Sequence, residues 1–119
     1  MQKENILIDK SLHFAGRIIK LHKYLIKTHK EGIISKQMVR SGTSIGANIS
    51  ESNYGSSPAD FINKMQIAQK ETAETEYWIR LLKLSEYIDE KEFESLLKDC
   101  LDIKNILTAA LKTAKANKK

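Results

Sequence analysis

The run SSPADFINKMQIAQKETAETEYWIRLL (56–82) decides the fold. Ser57 can cap a helix, Pro58 fits its first turn, and Asp60 complements the positive helix end. Beyond that start Phe61, Met65, Ala68, Thr72, Thr75, Ile79 and Leu82 recur in alternating steps of four and three. A 3.5-residue period of this kind is the seam of helices packed at shallow angles. Downstream, Phe93, Leu96, Cys100, Ile103, Leu107, Ala110 and Ala114 repeat the same rhythm.

Three breaks separate the helical runs. In His29-Lys30-Glu31-Gly32 the glycine suits a helix C-terminus. In Gly55-Ser56-Ser57-Pro58 the glycine can close one helix while the serine opens the next. Around Tyr87-Ile88-Asp89, the pair Asp89 and Glu92 resembles a capping box. The spacing therefore predicts helices near 7–29, 33–55, 58–86 and 90–116, with a fraying Lys-rich tail from Lys112 to Lys119. Short connections make neighbours antiparallel. The expectation is an all-α, up-down-up-down four-helix bundle, one domain over 1–119.

Composition narrows the function classes. The chain has 119 residues, with one proline and five glycines, too little punctuation for an all-β fold. A single cysteine excludes a disulfide framework and fits a reducing compartment. Lysines and acids through the first thirty residues leave no apolar signal core, and Ser41–Ser50, the longest charge-free stretch, is too short and polar to span a membrane. A cytoplasmic protein is expected.

The second helix carries small residues on its core side, among them Ser41, Gly42 and Ser52. They weaken helix propensity but let another backbone approach closely. Its Arg40, Ser44, Asn48 and Glu51 share a face, and the third helix offers Lys70, Glu71, Glu74 and Trp78 with similar spacing. One reading is a ligand or reaction site built from Arg40, Asn48, Glu51, Glu71 and Glu74. The other, which the habit of polar layers to specify bundles favours, is a hydrogen-bonded layer that includes Ser41 and fixes register or subunit pairing.

Metal and nucleophile chemistry find little support. Glu71 and Glu74 have no His three residues after either, as a di-iron bundle requires. His13, His22 and His29 lie in or just after the first helix, His22 on its apolar side, which reads as a packed histidine. Cys100 sits on the apolar seam of the fourth helix, where a thiol behaves as a small hydrophobe. No phosphate loop or dinucleotide fingerprint is present. Neither metal nor cofactor is expected.

Charge is more informative. Lysine and arginine number 20 against 15 acids, a net +5, and residues 1–32 hold seven basic and three acidic side chains. Lys10, Arg17, Lys20, Lys23, Lys27 and Lys30 fall on one side of the first helix. Such a stripe can track phosphates, although a solvated helix face explains it as well. No aromatic residues interleave with the stripe, which leaves base stacking unsupported.

The segments QMVRSGTSIGANISES (37–52), SSPADFINKMQIAQKETAETEYWIRLL (56–82) and LLKDCLDIKNILTAALKT (96–113) resemble the bacterial four-helix-bundle family typified by the 23S ribosomal RNA intervening-sequence protein. SIGANI and the K-E-x-x-E-T-x-Y-W pattern carry the likeness. The resemblance implies a protomer that assembles, as a homopentameric ring, and a relationship to the accessory protein of diversity-generating retroelements, which is associated with reverse transcriptase and nucleic acid. It supplies no catalytic set; Arg40, Ser41, Ser44, Asn48, Glu51, Lys70, Glu71, Glu74 and Trp78 match its pattern as structural or assembly positions. The expected function is a non-enzymatic homo-oligomer that binds RNA or DNA electrostatically or scaffolds a nucleic-acid-processing partner. The alternative is a protein-interaction module that binds no nucleic acid.

Overall fold

The structure, a computed structural model, describes the backbone of residues 2–117 and side chains from residue 6. Among these residues it is four helices without strands: α1 (Gln2–Tyr24), α2 (Ile33–Ser52), α3 (Pro58–Leu84) and α4 (Glu90–Asn117). They form a rod of 50 × 22 × 19 Å in which each helix packs on its chain neighbours and α1 closes onto α4. Lys118 and Lys119 of the expected tail lie outside the described residues, and the rest of it, 112–117, is helical within α4 rather than frayed.

The seams read from sequence form the core. Met65, Ala68, Thr72, Thr75, Ile79 and Leu82 of α3 are buried, as are Leu96, Cys100, Ile103, Leu107 and Ala110 of α4. At the start of α3 the buried residue is Ile62, with Phe61 packed at the core edge. From α1 come Leu7, Phe14, Ile18 and Leu21, and from α2 Met38, Ile45 and Ile49. The small residues of α2 are used twice. Gly42 and Gly46 bring α2 close to α1, where added Cβ atoms would lie 3.1 Å from Ile18 Cγ2 and 3.0 Å from Ser11 Oγ. On the α3 side the buried Thr75 hydroxyl meets Ser41 Oγ at 2.8 Å.

The helix ends correct several expectations. After Tyr24 the chain makes a π-helical turn over Leu25–His29, and Lys30, not Gly32, adopts the left-handed conformation (φ 56°), donating its N–H to the Leu25 carbonyl. Gly32 instead precedes α2, and the buried Glu31 caps that helix. Its carboxylate accepts the N–H groups of Ile33, Ile34 and Ser35 at 3.0, 3.1 and 2.8 Å. This satisfies three donors that the first helical turn leaves unpaired. Helix α2 stops at Ser52 rather than residue 55, and Gly55 allows close approach, since a Cβ there would sit 3.2 Å from Phe61 N and from Ser52 O. Ser57 caps α3 by accepting Asp60 N–H at 3.1 Å. Helix α3 ends at Leu84 instead of 86, with Glu86 left-handed (φ 64°), and Asp89 caps α4 by accepting Glu92 N–H at 2.8 Å.

Candidate functional site

Two groups of expected site residues can now be located. In the first, Arg40 of α2 pairs with Glu74 of α3 and lies 3.5 Å from Glu71, while Trp78 Nε1–H donates to Glu74 at 3.0 Å. The indole hydrogen bond, then Arg40, hold the Glu74 carboxyl below its ordinary range, and Glu74 in turn raises Arg40. The Arg40 side chain is 52% exposed, so this network lies at the surface of the α2–α3 groove rather than in an internal layer. Lys70 is exposed beside it. The buried side-chain contact between α2 and α3 is the Ser41–Thr75 pair. Asn48 bonds within its own helix, to the Ser44 carbonyl at 2.9 Å, and Glu51 pairs with Lys64 at 2.9 Å, which raises the Lys64 ammonium. The structure thus splits the nine residues into a surface ion network, a buried hydroxyl pair and separate local contacts.

Elsewhere, His22 Nδ1 meets the buried Ser35 hydroxyl, tying α1 to α2. Cys100 is fully buried, and burial pushes its thiol up to about 12, with Glu76 adding to the effect. Its Sγ–H points at the Thr72 carbonyl, 3.6 Å away. Among the described residues no three His, Cys, Asp or Glu side chains converge as a metal site would require.

In the second group, α1 is not one continuous basic stripe. Arg17 turns toward α4, donating to Asp99 at 2.7 Å and approaching Glu92 at 3.5 Å. Lys10 lies at a small depression with Asp9, His13, Asp99 and Asp102. Arg17 is therefore paired with carboxylates, whereas Lys10 is exposed and in no ion pair among the described residues. Lys20, Lys23, Lys27 and Lys30 remain exposed, with no carboxylate within ion-pair distance among the described residues.

Aromatic side chains accompany those four lysines, contrary to the sequence expectation. The Tyr24 ring meets His29 edge-on at 5.5 Å, and His29 meets Tyr87, from the α3–α4 turn, at 5.6 Å. In an α-helix, residues five apart point about 140° away from each other. The π turn carries them onto one face, which is why a 3.6-residue reading separates Tyr24 from His29. The three rings line a cleft of about 930 Å³ at this end of the bundle, together with Lys20, Glu86 and Asp89. Two further lining residues are already engaged: Arg17 as above, and Lys83, 3.1 Å from Glu90.

A second apolar row along α1 and the π turn is partly uncovered. Ile8, Leu12, Ala15, Ile19, His22 and Ile26 follow four-three steps of their own, offset from the core seam. Leu12, Ile19 and Ile26 are 72%, 40% and 38% exposed.

Comparison with known proteins agrees with this architecture. The family described as 23S rRNA-intervening sequence protein matches residues 3–109. A protein of unknown function from the S23 ribosomal protein family of Bacteroides thetaiotaomicron is 51% identical in a crystal structure, with a TM-score of 0.91. The match covers 92% of this chain and 98% of that one. Comparison with curated proteins finds no match.

Proposed function

The chain belongs to the 23S rRNA-intervening sequence protein family, and on that premise we propose a non-enzymatic, self-assembling bundle that binds RNA or DNA through the basic end of α1. The observation that carries the reading is the set Lys20, Lys23, Lys27 and Lys30, exposed and in no ion pair among the described residues. Four such ammonium groups on one segment attract phosphates without reading sequence. Assembly multiplies the field by repeating the segment around a symmetric oligomer. The outward seam of Leu12, Ile19 and Ile26 supports assembly, because a soluble monomer gains nothing from a heptad-spaced apolar row in water. A homopentameric ring is the form we assign to it.

The non-enzymatic part of the proposal is supported by the surface network. Arg40, Glu71, Glu74 and Trp78 satisfy one another, and neither cleft described above contains them.

Fluorescence anisotropy with labelled RNA and DNA at two ionic strengths tests the binding. Engagement of four lysines per strand contact gives a log–log salt slope of about −3 on single strands. Replacing Lys20, Lys23 and Lys27 together by Glu should abolish it. No binding at low salt, or binding indifferent to salt, refutes the nucleic-acid reading and leaves the interaction-module alternative, in which the same bundle recruits a protein. Light scattering that gives 13.6 kDa, the mass of one chain, at micromolar concentration refutes assembly.

A further inference from the structure

We propose that the cleft between the end of α1 and the α3–α4 turn is a base-stacking subsite for single-stranded nucleic acid; this rests on the binding role just assigned to the neighbouring lysines. Every nucleobase has a flat π-face, and aromatic side chains beside a basic track are how proteins hold single strands without sequence preference. Here the platform is Tyr24, which is half exposed, braced edge-on by His29, which is braced in turn by Tyr87. The rings come from three places in the chain, and the π turn aligns the first two. The cleft, about 930 Å³, has room for a base.

The charges around it divide a nucleotide into two parts. Glu86 and Asp89 line the cleft and repel phosphate from its interior. Arg17 and Lys83 do not offset this, because each is already paired with a carboxylate. Among the described residues Lys20 is the lining cation without such a partner, and the exposed Lys23, Lys27 and Lys30 follow it along the chain. The sugar-phosphate chain therefore runs along the lysines while a base turns inward onto Tyr24. Duplex DNA cannot make this contact without unstacking a base, so the site selects single strands.

The test compares a labelled single strand of about 12 nucleotides with an abasic sugar-phosphate chain of equal length, using the full chain and anisotropy. The base-bearing strand should bind more tightly by about 5-fold to about 150-fold, the range for one stacked base. Tyr24→Ala should remove that advantage while leaving the abasic affinity and the salt slope unchanged, and Tyr24→Phe should restore it. Equal affinity for the two strands in the unaltered protein overturns the subsite but leaves the electrostatic reading standing. Equal weakening of both strands by Tyr24→Ala also overturns it, since the ring would then act through structure. Absence of binding by either strand at low salt refutes the electrostatic reading and the subsite with it.

Discussion

Replacing Gly42 by alanine should destabilise the protein, whereas the same change at Gly16 should stabilise it. Both glycines lie inside helices, and no glycine has a positive φ, so alanine is allowed by the backbone at either site. In a helix interior the change gains about 0.5–1 kcal/mol from lower unfolded-state entropy and better propensity. At Gly16 that gain is unopposed, because a Cβ meets nothing within 4 Å. At Gly42 it would lie 3.1 and 3.2 Å from Ile18 Cγ2 and Cγ1. Ile18 is fully buried and stiff at its branched carbon, so α1 and α2 must move apart. Overpacking of this kind costs about 1–3 kcal/mol. The net loss is about 1 kcal/mol, against a comparable gain at Gly16. For a domain of this size the two variants should differ in Tm by roughly 8 °C, one on each side of the parent. Thermal unfolding followed by circular dichroism measures this, at one fixed protein concentration because assembly shifts apparent stability. If Gly42→Ala raises Tm as much as Gly16→Ala, the close α1–α2 approach is not the reason for that glycine.

Three other outcomes follow from the site geometry. The Glu74 carboxyl titrates below its ordinary 4.5 when folded, so its contribution is complete above that value and lost as pH falls through the lower one. Glu74→Gln should flatten the acid limb of a urea-derived stability curve, and an unchanged limb contradicts the role given to Trp78 and Arg40. Cys100, buried with a thiol pushed up to about 12, should react with an aromatic disulfide reagent at neutral pH only as the chain unfolds; labelling as fast as in denaturant refutes its burial. Arg17→Ala should cost about 1 kcal/mol through its half-buried contacts to Asp99 and Glu92. It should leave the nucleic-acid salt slope unchanged, whereas a fall of about 0.7 would return Arg17 to the phosphate track.

Much of the molecule was legible in the linear chain. The four-three steps of α3 and α4 name fourteen residues, of which eleven are buried and Phe61, Phe93 and Ala114 pack at the core edge, because helical period and core position are the same geometric fact. Ser57, Pro58 and Asp89 mark helix starts by chemistry confined to a few neighbours. The first break was less legible, since Gly32 and Lys30 compete for one helix end. Glu31 caps the second helix with a side chain longer than the usual Ser, Thr, Asp or Asn cap, reaching N–H groups two to four residues on. The partners of Arg17 are illegible for a related reason: a helical wheel reports direction but not what stands opposite. Arg17 turns toward the acids of α4, whose position depends on how the bundle closes.

By itself, then, the sequence determined what depends on spacing along one helix: the number of helices, their buried faces, most of their caps and the family likeness. Tertiary structure decided what depends on distances between helices. It divided the expected polar layer into a surface ion network and one buried hydroxyl pair, and took Arg17 out of the basic stripe by pairing it with α4. It also joined Tyr24, His29 and Tyr87, the first pair through a turn wider than the α-helix and the last across 58 positions of chain. A period of 3.6 residues carries no record of a π turn, and no local pattern encodes which residue a returning helix will bring alongside.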